Sequence, residues 1–209
     1  MITAIIPAHD EAHRVEHAVA ALHGQTRPPE RILVMSDDST DDTVEVALDA
    51  GAEVLLTVDN RQHRAGALNQ ALATVPMAPD DLVLLLDPGV RLPPGFLDRA
   101  LDAFRDRNVG AVPAGPTAVG GAAALVRRQA LEDVRRSFGR YCDEGPVSGQ
   151  LRLALDLEAV GWRLGPPVET EKAAAAPVEQ GAPAPVGHIV PVPSTPVPVG
   201  IVRAEPAAA

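Results

Sequence analysis

The sequence predicts an α/β domain in which a mostly parallel sheet carries helices on both faces. Short runs of consecutive apolar residues, each bounded by polar residues, are typical of strands buried on both faces. Between these runs, apolar residues recur at helical spacing, and an alternation of strands and helices favours a parallel sheet. Several of the runs end in acidic residues, which indicates a ligand crevice at the carboxyl ends of the strands.

The clearest strand lies between Asp81 and Asp87, where all five intervening residues are apolar. This pattern predicts a strand buried on both faces and excludes an amphipathic helix. Because the strand ends on Asp87, we expect that carboxylate at the rim where ligands bind in open α/β sheets.

The chain opens with a predicted strand at residues 2–6, closed by Pro7, and a helix over residues 12–24. The polar residues between them are expected at the same rim as Asp87. A second strand is predicted at 31–35, followed by the run Ser-Asp-Asp-Ser-Thr-Asp-Asp-Thr at 36–43. That run fits an ordinary helix N-cap, but four neighbouring carboxylates also favour a ligand donor or a cation that offsets their repulsion.

A third strand is predicted at 53–58 and a helix at 65–74. Gly66 permits close approach of the backbone, and Arg64 at the helix start suits a diphosphate. A basic residue in this position is equally compatible with simple solvation. Further strands are predicted at 109–112 and 120–126, and helices at 96–105, 129–136 and 151–160.

The composition changes after residue 165. Residues 166–209 hold about half of the chain's 21 prolines, and they show neither helical nor strand periodicity. A segment so rich in proline lacks the backbone donors of a packed core. We therefore expect a folded domain over residues 1–165 and a disordered Pro/Ala/Val-rich tail over residues 166–209.

Charge and composition exclude several classes of protein. The net charge of −10 argues against a nucleic-acid partner, which requires clustered basic residues. No apolar run approaches the ~20 residues of a transmembrane helix, and the N-terminus lacks the pattern of a secretory signal. The single cysteine, Cys142, excludes an internal disulfide. A cytoplasmic protein is expected.

Four motifs in this order and spacing resemble family 2 glycosyltransferases of the GT-A fold, a Rossmann-like fold. The motifs are IIPAHDE at 5–11, SDDSTDDT at 36–43, HRAGALN at 63–69, and Leu-Asp at 86–87 followed by LPP at 92–94. The similarity extends from residue 1 to about residue 165. It implies an inverting transferase that takes a sugar from a nucleotide-sugar donor, expected to be a UDP-sugar, to an unidentified glycan, lipid or protein acceptor.

The resemblance also implies roles for individual residues. Ala8 and Glu11 match the segment that holds the nucleotide's base and ribose, and Asp37 matches the aspartate that contacts the base. Arg64 matches the basic residue near the diphosphate. Asp87 matches the first aspartate of the D-x-D motif, which places the nucleotide-sugar and a divalent cation. Such hard oxygen ligands suit Mg²⁺ or Mn²⁺.

Two positions depart from the family pattern. Gly89 stands where the family has its second D-x-D aspartate, so Asp87 is left to bind the metal. Gln150 stands where the family has its general base, and glutamine accepts no proton at neutral pH. Asp143 and Glu144 are the candidate replacements as catalytic base. A catalytically impaired nucleotide-sugar-binding protein is therefore the alternative, whereas a nucleotidyltransferase would require a Gly-rich, basic N-terminal loop.

Overall fold

The computed structural model describes residues 1–115, 123–143, 149–169 and 201–202, and for residues 149–151 and 201–202 it describes the backbone alone. Strands and helices alternate over most of this length, as expected. In chain order the elements are β1 (Ile2–Ala8), α1 (Ala12–His23), β2 (Arg31–Ser36), α2 (Thr43–Asp49), β3 (Glu53–Leu56), α3 (His63–Thr74), β4 (Leu82–Leu86), α4 (Phe96–Ala103), β5 (Val109–Pro113), β6 (Ala123–Arg127), α5 (Arg128–Phe138), α6 (Gly149–Ala159), β7 (Arg163–Leu164) and β8 (Ile201–Val202).

The strands form one sheet in the order β7-β5-β6-β4-β1-β2-β3-β8. The four strands β4, β1, β2 and β3 are mutually parallel. The chain runs outward from β1 through β2 to β3 and then returns to the other side of β1 as β4. This reversal creates a topological switch point between β1 and β4, where open α/β sheets form their ligand crevice.

Helices cover both faces of the sheet, as the sequence predicts. One hydrophobic cluster holds the buried faces of α1, α2 and α4, and the other holds those of α3, α5 and α6. In β4, Leu82, Leu84 and Leu86 face the first cluster, whereas Val83 and Leu85 face the second. Both faces of the strand are therefore buried, and this explains why its apolar residues are consecutive instead of alternating.

The sheet departs from parallel order around β6. That strand lies between β4 and β5 and is antiparallel to both. It begins at Ala123, and residues 120–122 of the expected strand lie outside the described residues. Apolar periodicity identifies a strand but contains no information about the direction of its partner.

Ordered structure continues beyond the expected boundary at residue 165. Val168 is buried, its N–H donates to the carbonyl of Pro113 at 3.0 Å, and its own carbonyl accepts from Gly115 at 2.8 Å. Strand β8, which pairs with β3, also comes from the expected tail. The remaining tail residues, 170–200 and 203–209, lie outside the described residues. In the part of the chain that is described, no helix is both long and apolar enough to span a bilayer.

Candidate functional site

A cleft of about 810 Å³ opens at the carboxyl ends of β1, β2 and β4. All five residues expected to bind the nucleotide-sugar line it, namely Ala8, Glu11, Asp37, Arg64 and Asp87. The parallel strands explain this convergence, because their carboxyl ends lie at one edge of the sheet. Asp81, at the opposite end of β4, instead accepts a hydrogen bond from the amide of Ala78 at 2.7 Å.

Asp37 is held at the junction of the first two strands. Its backbone N–H donates to the carbonyl of Ala8 at 2.8 Å, and its Oδ1 accepts from the hydroxyl of Thr57 at 2.6 Å. Among the described residues, Oδ2 receives no hydrogen bond. The carboxylate is thus oriented by the protein while one oxygen remains available to a ligand.

Asp87 and Arg64 face each other across the cleft. The Nε of Arg64 donates to Oδ1 of Asp87, and both side chains are partly exposed. Asp87 follows directly after β4, and Pro88 and Gly89 turn the chain away from it. A Cβ built on Gly89 would meet nothing within 4 Å, so open space lies where the family's second carboxylate is expected.

Glu11 precedes α1 and pairs with Arg14, whose Nη1 donates to Oε1 of Glu11 at 2.7 Å. Both residues line the cleft. Sequence reasoning missed Arg14, because a basic residue in the first turn of an amphipathic helix carries no signal of its own. Its spacing of three residues from Glu11, which places the two side chains on one helix face, was the available indication.

Backbone amides bind two of the acidic residues around this rim, Asp10 and, within the run at 36–43, Asp41. Asp10 Oδ1 accepts from the amide of Thr40 at 2.6 Å, and this bond is the main cause of the lowered pKa of Asp10. Asp41 accepts from the amides of Thr43 at 3.0 Å and Ala12 at 3.2 Å. Burial opposes ionisation of Asp41, but a hydrogen bond from the Thr43 hydroxyl, together with these two amide bonds, keeps its pKa below the ordinary value. Capping between loops therefore accounts for Asp41, whereas Asp37 and Asp38 line the cleft.

Backbone strain is concentrated at this rim of the sheet. The described non-glycine residues with positive φ are Asp10, Asp38, Asp59 and His63, with φ between 39° and 54°. Asp10, Asp38 and Asp59 lie in the loops that follow β1, β2 and β3, and His63 is the first residue of α3, directly after the third of these loops. Such strained residues cluster at ligand sites, where the surrounding structure holds them in place.

His9 also lines the cleft, and sequence reasoning gave it no role. Its Nδ1–H donates to the carbonyl of Asp37 at 2.5 Å. This hydrogen bond is the main cause of the raised pKa of His9, and the carboxylates of Asp10, Asp37 and Asp38 raise the pKa further. His9 therefore places a positive charge beside an acidic cleft at pH values where an ordinary histidine has begun to lose its proton.

Gly66 permits the close approach that the sequence predicts. A Cβ at this position would lie 1.8 Å from Oδ1 of Asn60. Asn60 itself is fixed, because its Nδ2 donates to the carbonyl of His63 at 2.7 Å and its Oδ1 accepts from the amide of Gln62 at 3.0 Å. Gly66 thus allows the loop before α3 to fold against that helix and to bring Asn60 and His63 to the cleft.

Asp143, one of the two candidate bases, lies apart from this cleft. Asp143 does not line it, and the Asp143 carboxylate pairs with Arg140 at 3.0 Å. Arg140 also pairs with the buried Asp156 at 2.8 Å, which ties the segment before residue 144 to α6. Glu144 lies outside the described residues. Gln150 lies in the first turn of α6, and its side chain is outside the described part of the chain.

Asn69 links the cleft helix to this second segment. Its Oδ1 accepts from the amides of Tyr141 at 3.0 Å and Cys142 at 2.8 Å, and its Nδ2 donates to the carbonyl of Cys142 at 3.0 Å. The motif at 63–69 contains Asn69, but nothing in the sequence indicated its partners more than 70 residues away. Burial raises the pKa of the Cys142 thiol to about 11, so the thiol is not a nucleophile.

The comparisons with known proteins agree with this geometry. The family model described as Glycosyl transferase family 2 matches residues 3–149. No curated protein sequence matches the chain significantly.

Solved structures share the fold. A mannosyltransferase from Pyrobaculum calidifontis, in complex with GDP-Man and Mn²⁺, has a TM-score of 0.62 and 22% identity, covering 81% of this chain and 55% of its own. Glucosyl-3-phosphoglycerate synthase from Mycobacterium tuberculosis has a TM-score of 0.66 and 15% identity, covering 85% of this chain and 74% of its own. The same synthase was solved with Mn²⁺, UDP-Glc and phosphoglyceric acid, at a TM-score of 0.63, 15% identity and coverage of 81% and 69%. The chain thus spans about half the length of the mannosyltransferase.

Proposed function

The chain belongs to glycosyl transferase family 2 and has the fold of the GT-A glycosyltransferases, and on that premise we propose that it transfers a sugar from a nucleotide-sugar donor to an acceptor. One observation carries the proposal. Ala8, Asp37 and Asp87 come from the carboxyl ends of three neighbouring strands and line one cleft at the switch point of the sheet. This is where open α/β sheets bind nucleotides.

We propose a UDP-sugar as the donor. The oxygen of Asp37 that Thr57 does not occupy is available to accept the N3–H of a uracil base. Glu11 and Ala8 would flank the base and ribose, and Arg64 would meet the diphosphate. A cleft of about 810 Å³ is of the size that small-molecule ligands occupy, roughly 300–1,000 Å³. The structurally similar synthase was solved with UDP-Glc and the structurally similar mannosyltransferase with GDP-Man. The identity of the nucleobase, uracil or guanine, therefore has to be tested.

A divalent cation, Mg²⁺ or Mn²⁺, would be held by Asp87. One partly exposed carboxylate suits such an ion when water and diphosphate oxygens complete its ligands, and Gly89 leaves room for them. Bound there, the cation would supply neutralisation of the charge that develops on the leaving diphosphate. Arg64 would then exchange its contact with Asp87 for one with the diphosphate.

The proposed reaction is a displacement with inversion at the anomeric carbon. The acceptor hydroxyl oxygen forms the new bond to that carbon, the bond to the diphosphate oxygen breaks with its electron pair, and the hydroxyl proton passes to a base. Asp143 or Glu144 is the proposed base. Asp143 would have to turn from Arg140 toward the cleft, and removal of such a base typically costs about 10²- to 10⁴-fold in rate. The acceptor, a glycan, lipid or protein, and a cytoplasmic location stay predictions.

The alternative function is nucleotide-sugar binding without turnover. Two observations favour it: Gly89 supplies no second carboxylate, and the Asp143 carboxylate is held by Arg140 away from the cleft.

Calorimetric titration with UDP-Glc and GDP-Man in Mn²⁺, combined with release of free nucleotide, tests the proposal. We expect binding that Asp37→Asn weakens, whereas Asp49→Asn, at the exposed end of α2, leaves it unchanged. Turnover supports the transferase. Binding without turnover, unaltered by Gly89→Asp with Gln150→Asp, supports the binding protein. A protein that binds no nucleotide-sugar contradicts both.

A further inference from the structure

Three potential metal ligands lie together on the solvent-facing side of α1, outside the cleft. They are His13, Glu16 and His17, and all three side chains are exposed. The spacing i, i+3, i+4 places them on one helix face, opposite the buried face of α1. Their ligand atoms all lie within 4.8 Å of one another. The cluster therefore needs no rearrangement of the backbone to surround a single ion.

The second histidine is oriented as a metal ligand commonly is. The Nδ1–H of His17 donates to the carbonyl of His13 at 2.7 Å, and the two imidazole rings meet edge to face with centroids 4.3 Å apart. This hydrogen bond fixes the tautomer of His17 and leaves the lone pair on Nε2. Metal-binding histidines typically use one ring nitrogen as the ligand and donate the other N–H in this manner.

From this arrangement we propose that His13, Glu16 and His17 form a Zn²⁺ site on the surface of α1. Two imidazoles and one carboxylate are a zinc ligand set, and water completes the tetrahedron at an exposed site. Mg²⁺ prefers oxygen ligands alone, so this site and the Asp87 position select different ions. The zinc proposal is independent of glycosyl transfer, because none of its three ligands lines the cleft.

Zinc at this position would bind His13 in the first turn of α1 and Glu16 and His17 in the second, and so would hold the two turns together. Arg14, which pairs with Glu11 at the cleft, lies between the ligands in sequence. A metal that binds only the folded helix shifts the folding equilibrium toward it. We therefore expect zinc to raise the unfolding temperature of the whole chain and to fix the turn that carries Arg14.

Calorimetric titration of the full chain with ZnCl₂ at pH 7.5, followed by thermal unfolding with and without zinc, tests this site. We expect one zinc per chain, and a loss of affinity of about tenfold or more in His13→Ala and in His17→Ala. His23→Ala is the matched control, because His23 is an exposed histidine on the same helix outside the cluster. His9→Ala tests for zinc in the cleft, and far-UV circular dichroism verifies that each variant is folded.

Equal zinc affinity in the wild type, His13→Ala and His17→Ala would overturn the proposal. Loss of zinc binding in His9→Ala alone would assign the ion to the cleft and overturn it as well. Because bound imidazoles must be neutral, protons compete with the metal, and the zinc affinity should also fall in acidic solution. An equal affinity for Mg²⁺ and Zn²⁺, or an equal rise in unfolding temperature, would contradict the assignment of the site to zinc.

Discussion

Arg64 and Asp87 neutralise each other across the cleft: the Nε of Arg64 donates to Oδ1 of Asp87, and the two side chains are 29% and 28% exposed. An ion pair of this exposure contributes only about 0–1 kcal/mol. Hydrogen bonds to a charged ligand are worth about 1.5–3 kcal/mol each. A diphosphate with its cation can therefore replace the pair at little cost, and the pair keeps both charges compensated in the absence of the donor.

Arg64→Gln is expected to weaken the binding of a nucleotide-sugar by about tenfold to a hundredfold, because the diphosphate loses a charged donor. The free energy of unfolding should change by less than about 1 kcal/mol, since the ion pair is partly exposed. Calorimetric titration and urea denaturation measure the two effects. Arg61→Gln is the control, because Arg61 is an exposed arginine in the loop before α3 that does not line the cleft. Equal donor affinity in Arg64→Gln and Arg61→Gln would contradict the proposal that Arg64 binds the diphosphate.

Gly89→Asp is expected to increase the affinity for Mn²⁺ in the presence of donor by about tenfold or more, because a second carboxylate joins Asp87. The free energy of unfolding should change by no more than about 0.5 kcal/mol. A Cβ at this position meets nothing within 4 Å, and φ of Gly89 is not in the left-handed region. Titration of Mn²⁺ into the protein with UDP checks the result. Gly89→Asn supplies the same shape without charge, and a gain in affinity of the same size in that variant would contradict the electrostatic reason.

The positions of Asp37 and Asp87 were predictable because Asp87 follows an apolar run directly and Asp37 follows one after Ser36, and parallel strands bring such positions to one rim. The roles of Asp10 and Asp41 were not. Asp10 accepts from the amide of Thr40, 30 residues away, and Asp41 accepts from the amide of Ala12, 29 residues away, in addition to its local bonds from Thr43. The sequence contains no signal for the two distant bonds. His9 was missed for the same reason, since its partner is a backbone carbonyl on the neighbouring loop.

The order of the sheet was predictable only in part. Runs of apolar residues identify β1, β2 and β4, but they do not specify that β6 inserts between β4 and β5 in antiparallel orientation. Pairing depends on tertiary contacts that the period of a single strand does not contain. The departures from the family pattern at Gly89 and Gln150 stay predictions from the sequence, whereas the pairing of Asp143 with Arg140 required the structure.

Binding of a nucleotide-sugar is expected to weaken as pH rises through the pKa of His9, which lies above the ordinary histidine value, because His9 then loses its proton. The pKa of His9 is raised chiefly by the hydrogen bond to the carbonyl of Asp37 and further by nearby carboxylates. A group whose pKa is raised contributes fully at lower pH and loses its effect as pH passes through the raised value. Because the His9 side chain is exposed to solvent, we expect the affinity to decrease by only about two- to fivefold.

Calorimetric titration of UDP-Glc between pH 5.5 and 8.5 measures this dependence, since the diphosphate of a nucleotide-sugar does not titrate in that range. His9→Gln should give a flat profile. The exposed control His23→Gln should keep the slope of the wild type. A pH dependence that persists in His9→Gln would assign the titration to another group. NMR titration of the His9 imidazole gives its pKa directly, and an ordinary histidine value would contradict the effect of the hydrogen bond to Asp37.

Gly66→Ala is expected to destabilise the fold by about 1–3 kcal/mol, because its Cβ would lie 1.8 Å from Oδ1 of Asn60. Asn60 cannot move freely, since it is hydrogen-bonded to Gln62 and His63. The gain in helix propensity from alanine, about 1 kcal/mol, offsets only part of this cost. Displacement of Asn60 and His63 would also disturb the cleft, so donor affinity should decrease together with stability.

Urea denaturation and calorimetric titration of Gly66→Ala distinguish a local effect from a general one. Gly89→Ala is the matched control, because it adds the same methyl group within the cleft where nothing lies within 4 Å. That variant should retain the stability of the wild type within about 0.5 kcal/mol. If Gly66→Ala were equally stable and bound donor equally well, Asn60 would have to leave its two hydrogen bonds without cost, and the loop before α3 would not be the rigid wall of the cleft that its contacts indicate.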